Sequence, residues 1–308
     1  MSVETRTDIY ARVTNRIVSE LEKGVRPWLK PWNAEHAAGR ISRPLRHNFQ
    51  PYRGINVLVL WIEAEAKGYS APLWLTFRQA KELGGHVRKG EHGSPVVYSS
   101  SFSKTEENDE GGETEKEIHF LKSYTVFNVE QVEGLPSQFY AKAEQPLSDM
   151  QRIEQAEAFV ANTNADVRVG GDRAYYAQGS DHIQMPPVET FRDAESHAAT
   201  LLHETVRWTK ATKRLDRSFN QKRWGDSGYA MEELVAELGA AFLCADLAIT
   251  PEVREDHADY IGHWLKVLND DKKAIFTAAA HAQKAADYLH GFQPKTDEAN
   301  AVAVVADA

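Results

Sequence analysis

Residues 197–209 read HAATLLHETVRWT, and the middle of that run decides what kind of chain this is. Ala199, Leu202 and Val206 share one face of a helix, so the imidazole of His203 points in one defined direction with Glu204 beside it. The run His203-Glu204-Thr205-Val206-Arg207 is one residue short of the His-Glu-x-x-His motif. In the intact motif two histidines four apart hold a metal from one helix face, and the glutamate acts as general base. Here the second ligand position is Arg207, a permanently charged guanidinium with no lone pair to donate. Either a metal-dependent site has been lost, or metal is held by fewer protein ligands.

A third ligand is expected from a second helix. In EELVAE, residues 232–237, Glu233 and Glu237 stand four apart on one face beside Ala236 and Ala240, whose small side chains permit close packing on the His203 helix. In zincins of the glutamate type a ligand carboxylate is followed four residues later by an acid that orients a ligand histidine. Glu233 as ligand and Glu237 as orienting acid fit that pattern. Both helices are apolar around these acids, and an uncompensated carboxylate at such depth is costly, so a buried positive partner is required. That partner is either a metal or Arg207 itself, bridging Glu204 and Glu233. In a live site Glu204 would deprotonate a metal-bound water for attack on a peptide carbonyl, with His257 or Tyr260 as candidate for the oxyanion.

The 308 residues suit two domains, each able to bury its own core, and 42% hydrophobic with 26% charged residues is the balance of a soluble globular protein. No apolar run approaches the roughly 20 residues of a membrane helix. The N-terminus lacks a signal-like stretch, and the lone Cys244 excludes an internal disulfide framework, so the expected location is the cytoplasm, away from membranes. The net charge of −9 is polarised. Residues 1–105 carry 16 Lys and Arg against 9 Asp and Glu, and residues 106–308 carry 20 against 36. A basic first third fits a polyanionic partner there, and uneven solvation of two surfaces is the plainer reading.

Ile9, Val13, Ile17 and Leu21 predict an amphipathic helix over 5–23, followed by a proline-rich irregular stretch, helices at 54–67 and 76–83, and strands at 96–98 and 118–126. The acidic segment 104–117 reads as a mobile hairpin loop, and 134–150 as a linker. Beyond it a helix at 151–162 and short strands at 166–169, 173–177 and 181–185 precede helices at 193–209, 229–247, 254–269 and 271–290. The expected class is α+β in two domains. The first, at 1–140, is an α+β unit; the second, at 150–290, is mainly helical with a small sheet; 291–308 reads as a disordered tail.

Between residues 23 and 53 the cations Lys23, Arg26, Lys30, Arg40, Arg43, Arg46 and Arg53 face one acid, Glu35, with Trp28, Trp32, Phe49 and Tyr52 interleaved. Cations that track phosphates and rings that stack on bases are what single strands require. Trp28, Trp32 and Trp61 read as core. Arg46, Tyr52, Arg53, Arg88 and Lys89 are the expected DNA contacts, without sequence preference since no helix-turn-helix or finger is present.

The chain also resembles the ArdC-type antirestriction proteins of conjugative plasmids. The resemblance lies in PYRGINVLVLW at 51–61, LTFRQAKELGGHVRKGEHG at 75–93, YTVFNVEQVEGLP at 124–136, DHIQMP at 181–186, the runs at 197–209 and 229–249 and the stretch 257–289. It implies an N-terminal domain that binds single-stranded DNA and a C-terminal zincin-like metallopeptidase domain. Carried over by position, His203 is the first metal ligand, Glu204 the general base and Glu233 the third ligand of a zinc or manganese ion; the family's second ligand histidine falls on Arg207. The implied function is protection of incoming DNA from host restriction, with a host restriction component or a protein substrate as a further partner. The alternative is an active DNA-directed metallopeptidase that cleaves a host protein.

Overall fold

The predicted amphipathic start forms helix α1, Arg6–Glu22, which buries Ile9, Val13, Ile17 and Leu21. The computed structural model describes residues 6–29, 42–107, 113–140, 147–219, 226–250 and 258–294. Strand β1, Leu45–Arg46, precedes helix α2, Ile55–Lys67, which is apolar almost all round and therefore runs through the core. Gly68 ends it in the left-handed region at φ 71°, where its N–H reaches the carbonyls of Ala64 and Glu65. Strand β2, Leu73–Thr76, leads into helix α3, Phe77–Glu82, started by a capping box between Thr76 and Gln79. Strand β3, His86–Val87, is followed by the long hairpin of β4, Ser94–Glu107, and β5, Glu113–Asn128, and then by β6, Val132–Glu133.

The main sheet has the order β1-β2-β5-β4, and β3 pairs with β6. Alternation along β2 divides its side chains: Leu73 and Leu75 enter a small core with Val129, Val132, Leu135 and Phe139, and Trp74 enters the large one. The expected loop at 104–117 is a correction. The β4–β5 ladder continues unbroken from Ser94↔Val126 to Glu107↔Glu113, and of the segment 104–117 residues 108–112 lie outside the described residues. Cross-strand backbone pairing carries the strands through a segment whose composition reads as loop.

Helix α4, Asp149–Ala161, opens the second half, followed by β7, Asp166–Val169, β8, Tyr175–Ala177, and β9, His182–Met185, in the order β7-β9-β8. Four helices complete it: α5, Ala194–Trp208; α6, Ser227–Leu247; α7, Ala258–Asp270; and α8, Ala274–His290. Asp193 and Asp226 cap α5 and α6 by accepting the N–H groups of Ser196 and Tyr229. The expected tail at 291–308 begins with a described turn at 291–294 and otherwise lies outside the described residues. No helix among the described residues is long and apolar enough to cross a membrane.

The two halves do not bury separate cores as expected from length. One cluster runs from Ile9, Trp28 and Trp61 to Phe242, Trp264 and Leu289. Trp61 lies 6.0 Å from Phe242 and Tyr10 lies 4.6 Å from Phe276, while the Thr14 hydroxyl donates to the carbonyl of Lys272 at 2.6 Å. Arg43, counted among the free-standing cations, is buried against Phe242 and bonded to Asp246 and Gln283. The main core is thus built jointly by the segments before and after residue 140.

The small-residue face of α6 meets α5 closely. A Cβ on Gly239 would lie 2.7 Å from Cγ1 of the fully buried Val206. Gly239→Ala is therefore expected to destabilise the chain by about 1–3 kcal/mol through overpacking. Calorimetry should show a lowered Tm that Val206→Ala partly restores, and an unchanged Tm for Gly239→Ala alone would refute the close approach.

Candidate functional site

Helices α5 and α6 bring together all the residues that the motif selects. His203, Glu204, Glu233 and Glu237 are buried, with Glu204 at 0% exposure. His203 Nε2 stands 3.5 Å from Glu233 Oε2, and His203 Nδ1 stands 3.6 Å from Glu237 Oε1. The carboxylates thus address opposite nitrogens of one imidazole, the arrangement in which one carboxylate shares a metal and the other orients the ring.

Arg207 alters the chemistry. Its Nη1 lies 2.6 Å from Glu233 Oε1 and its Nε lies 3.8 Å from Glu204 Oε2, one turn back on α5. The guanidinium carbon sits 5.9 Å from the Tyr229 ring centroid. Burial opposes the charge, but Glu233 and Glu204 outweigh it and hold Arg207 above its ordinary range. A divalent ion about 4 Å from that guanidinium would meet a repulsion of roughly 8 kcal/mol at an effective dielectric near 20. Among the described residues no group of three or more His, Cys, Asp and Glu is placed to hold a metal. The donor set does not fit one: it offers a single imidazole and a carboxylate, Glu233, already ion-paired with a cation.

Beside this cluster lies an aromatic wall. Tyr229 and Tyr260 stack with their hydroxyls 3.0 Å apart, Tyr260 stacks on Trp264, and Trp264 meets Trp28 edge-on at 5.8 Å. Burial, followed by the hydrogen bond with Tyr229, holds the Tyr260 phenol above its usual range, so it stays neutral. His257, the other oxyanion candidate, lies outside the described residues.

Two residues of the first half complete the cluster. Trp28 Nε1 donates to Glu237 Oε2 at 3.3 Å, and Arg26 Nη1 lies 3.8 Å from the same oxygen. The sequence reading missed both, because their partner lies more than 200 positions away. Arg217 was missed as well. It grips Glu232 through Nε at 2.9 Å and Nη2 at 2.7 Å, and donates to the Val206 carbonyl, fastening the chain beyond α5 to α6.

The expected DNA contacts fall on the first half. Arg46, Arg53, Arg88 and Lys89 are exposed. Arg53 pairs with Asp287, and Arg88 with Glu91 at 2.7 Å. Tyr52 corrects the expectation of a stacking ring: it is 8% exposed and lies beneath Arg46, 5.4 Å from guanidinium carbon to ring centroid. Burial, only partly offset by Arg46, pushes its phenol up to about 12. Exposed rings of the first half include Phe49, at 46%, and Phe77, at 60%. Phe49 turns the chain at φ 62° and stacks on Phe139 at 5.6 Å. Lys30, Trp32 and Arg40 lie outside the described residues.

Comparison with known proteins matches each half. Residues 7–127 match the family described as the N-terminal domain of anti-restriction factor ArdC, and residues 154–281 match the zincin-like metallopeptidase family. The crystal structure of the antirestriction protein ArdC from plasmid R388 in its metal-free form aligns with a TM-score of 0.77 and 45% identity, over 92% of this chain and 97% of that one. Its Mn(II)-bound structure aligns at 0.75 with 43% identity, over 92% and 98%. Protein y4eC of Sinorhizobium fredii is 42% identical over 94% of each chain. A DNA primase TraC of Escherichia coli is 36% identical over 95% of this chain but only 28% of its own length. One of these relatives has thus been solved with Mn(II) bound.

Trp28→Phe keeps the contact with Trp264 and removes the donor to Glu237. A loss of about 1.5–3 kcal/mol is expected from denaturant unfolding, as for a hydrogen bond to a charged group. Stability equal to the parent chain would show that the indole N–H contributes nothing.

Proposed function

Because the chain belongs to the ArdC-type antirestriction family, we propose that it binds single-stranded DNA without sequence preference and shields incoming plasmid DNA from restriction in the host cytoplasm. The observation that carries the DNA reading is the turn at 46–50. Its Phe49 ring is exposed on a buried aromatic support, Phe139, and Arg46 stands over Tyr52 close by in sequence. A non-glycine residue at positive φ costs about 1–3 kcal/mol, which favours a use for the presented ring. Nucleobases stack on such a face whatever their identity, while guanidinium and ammonium groups answer phosphates.

Arg46, Arg53, Arg88 and Lys89 supply the cations in this reading, and Tyr52 supports Arg46 from below. The β4–β5 hairpin, with its acidic end, does not belong to the binding face. No hydrolytic step is assigned to the zincin-like half, whose second-ligand position carries a guanidinium. A host restriction component is the natural protein partner of such a complex.

The test uses the full chain and fluorescence anisotropy with a labelled oligonucleotide. Phe49→Ala is expected to weaken binding by about 1–3 kcal/mol, the worth of one stacked base. Arg46→Ala should lower the slope of log K against log salt by roughly 0.7, one single-strand phosphate contact. Tyr52→Phe should bind like the parent. Absence of binding by the parent chain in dilute buffer would end the DNA reading.

A further inference from the structure

Where a metal's ligands would converge on α5 and α6, the chain places a side chain of its own. Arg207 Nη1 reaches Glu233 Oε1 at 2.6 Å, and the other oxygen of Glu233 faces His203 Nε2 at 3.5 Å. Behind the imidazole, Glu237 faces Nδ1 at 3.6 Å and takes the indole N–H of Trp28 at 3.3 Å. The cluster therefore forms one chain of contacts: Glu204, Arg207, Glu233, His203, Glu237, then Trp28 and Arg26 of the first half.

We propose that Arg207 is the resident cation of this site, its single positive charge standing where a divalent metal would. The cluster then acts as a metal-independent joint that fixes α5 to α6 and seats the Arg26–Trp28 segment on both. Three buried carboxylates require positive charge, and the guanidinium meets Glu233 through Nη1 without an ion. The occupant differs from a metal in one testable respect: it is covalently part of the chain, so chelators do not remove it. The inference rests on the α5–α6 geometry alone and holds whether or not the chain binds DNA.

The experiment follows metal content and thermal unfolding of the full chain, with EDTA or with added Mn(II) or Zn(II). The parent is expected to carry well under about one-tenth of an ion per chain after gel filtration and to unfold at the same Tm in both conditions. Arg207→His supplies an imidazole at the second-ligand position. It is expected to unfold lower in EDTA, to take up about one ion per chain, and to gain several degrees in Tm with the metal. Arg207→Lys keeps a cation and should stay metal-independent. A parent chain that retains about one ion and loses Tm in EDTA overturns the proposal, and that measurement decides even if Arg207→His does not fold. Arg207→Met unfolding at the parent's Tm without metal would refute the joint, because its carboxylates would then need no cation.

Discussion

The contact between Arg207 and Glu233 is the constraint on which the second half turns. Two α-helices can approach at Gly239 and Val206 only if the acids between them are neutralised. Glu204, Glu233 and Glu237 all lie within that interface. Such buried pairs add little net stability when whole, since desolvation offsets most of the attraction, yet losing one partner typically costs about 3–5 kcal/mol. That asymmetry explains how a site can change its cation without changing its fold. A guanidinium attached one turn beyond His203 reaches the Glu233 carboxylate at 2.6 Å. The likeness to both the metal-free and the Mn(II)-bound R388 protein, at nearly equal TM-scores, is in keeping with a scaffold that does not depend on the ion.

Glu237 transmits this constraint to the first half. Its two oxygens divide their contacts between the imidazole of His203 and the donors Trp28 and Arg26. Trp28 in turn meets Trp264 of α7, and Trp264 donates to the Ala230 carbonyl at the start of α6. A ring that belongs by sequence to the first half thus serves as core for the zincin-like half. Two families divide the chain, whereas burial follows the shared cluster from Ile9 to Leu289.

What the sequence made legible is what periodicity and spacing encode. Helices α1, α2, α5 and α6 were readable from their apolar repeats, and the fault at Arg207 from a single letter. The pairing of Glu233 and Glu237 with the two faces of His203 followed from their four-residue separation. What failed needed distant partners. Arg26 and Arg43 count as basic in a local reading, but Glu237 and Asp246, about 200 positions on, bury both. Tyr52 and Phe49 look equivalent as rings among cations; the turn at φ 62° exposes one and leaves the other beneath Arg46. The segment 104–117 has loop composition, and only its partner strand makes it a ladder.

The joint core also bears on how such a unit can be handed between proteins. An isolated first half would expose Ile17, Trp28 and Trp61, all fully buried here, and would leave the Thr14 hydroxyl without its Lys272 acceptor. A domain cut at residue 140 would carry that apolar surface into water, at about 25 cal/mol for each Å² newly exposed. Selection would therefore favour moving both halves together. The match to TraC behaves in this way, running through nearly the whole of this chain inside a much longer protein. The zincin-like half completes the core on which the first half rests, whichever cation its buried acids meet.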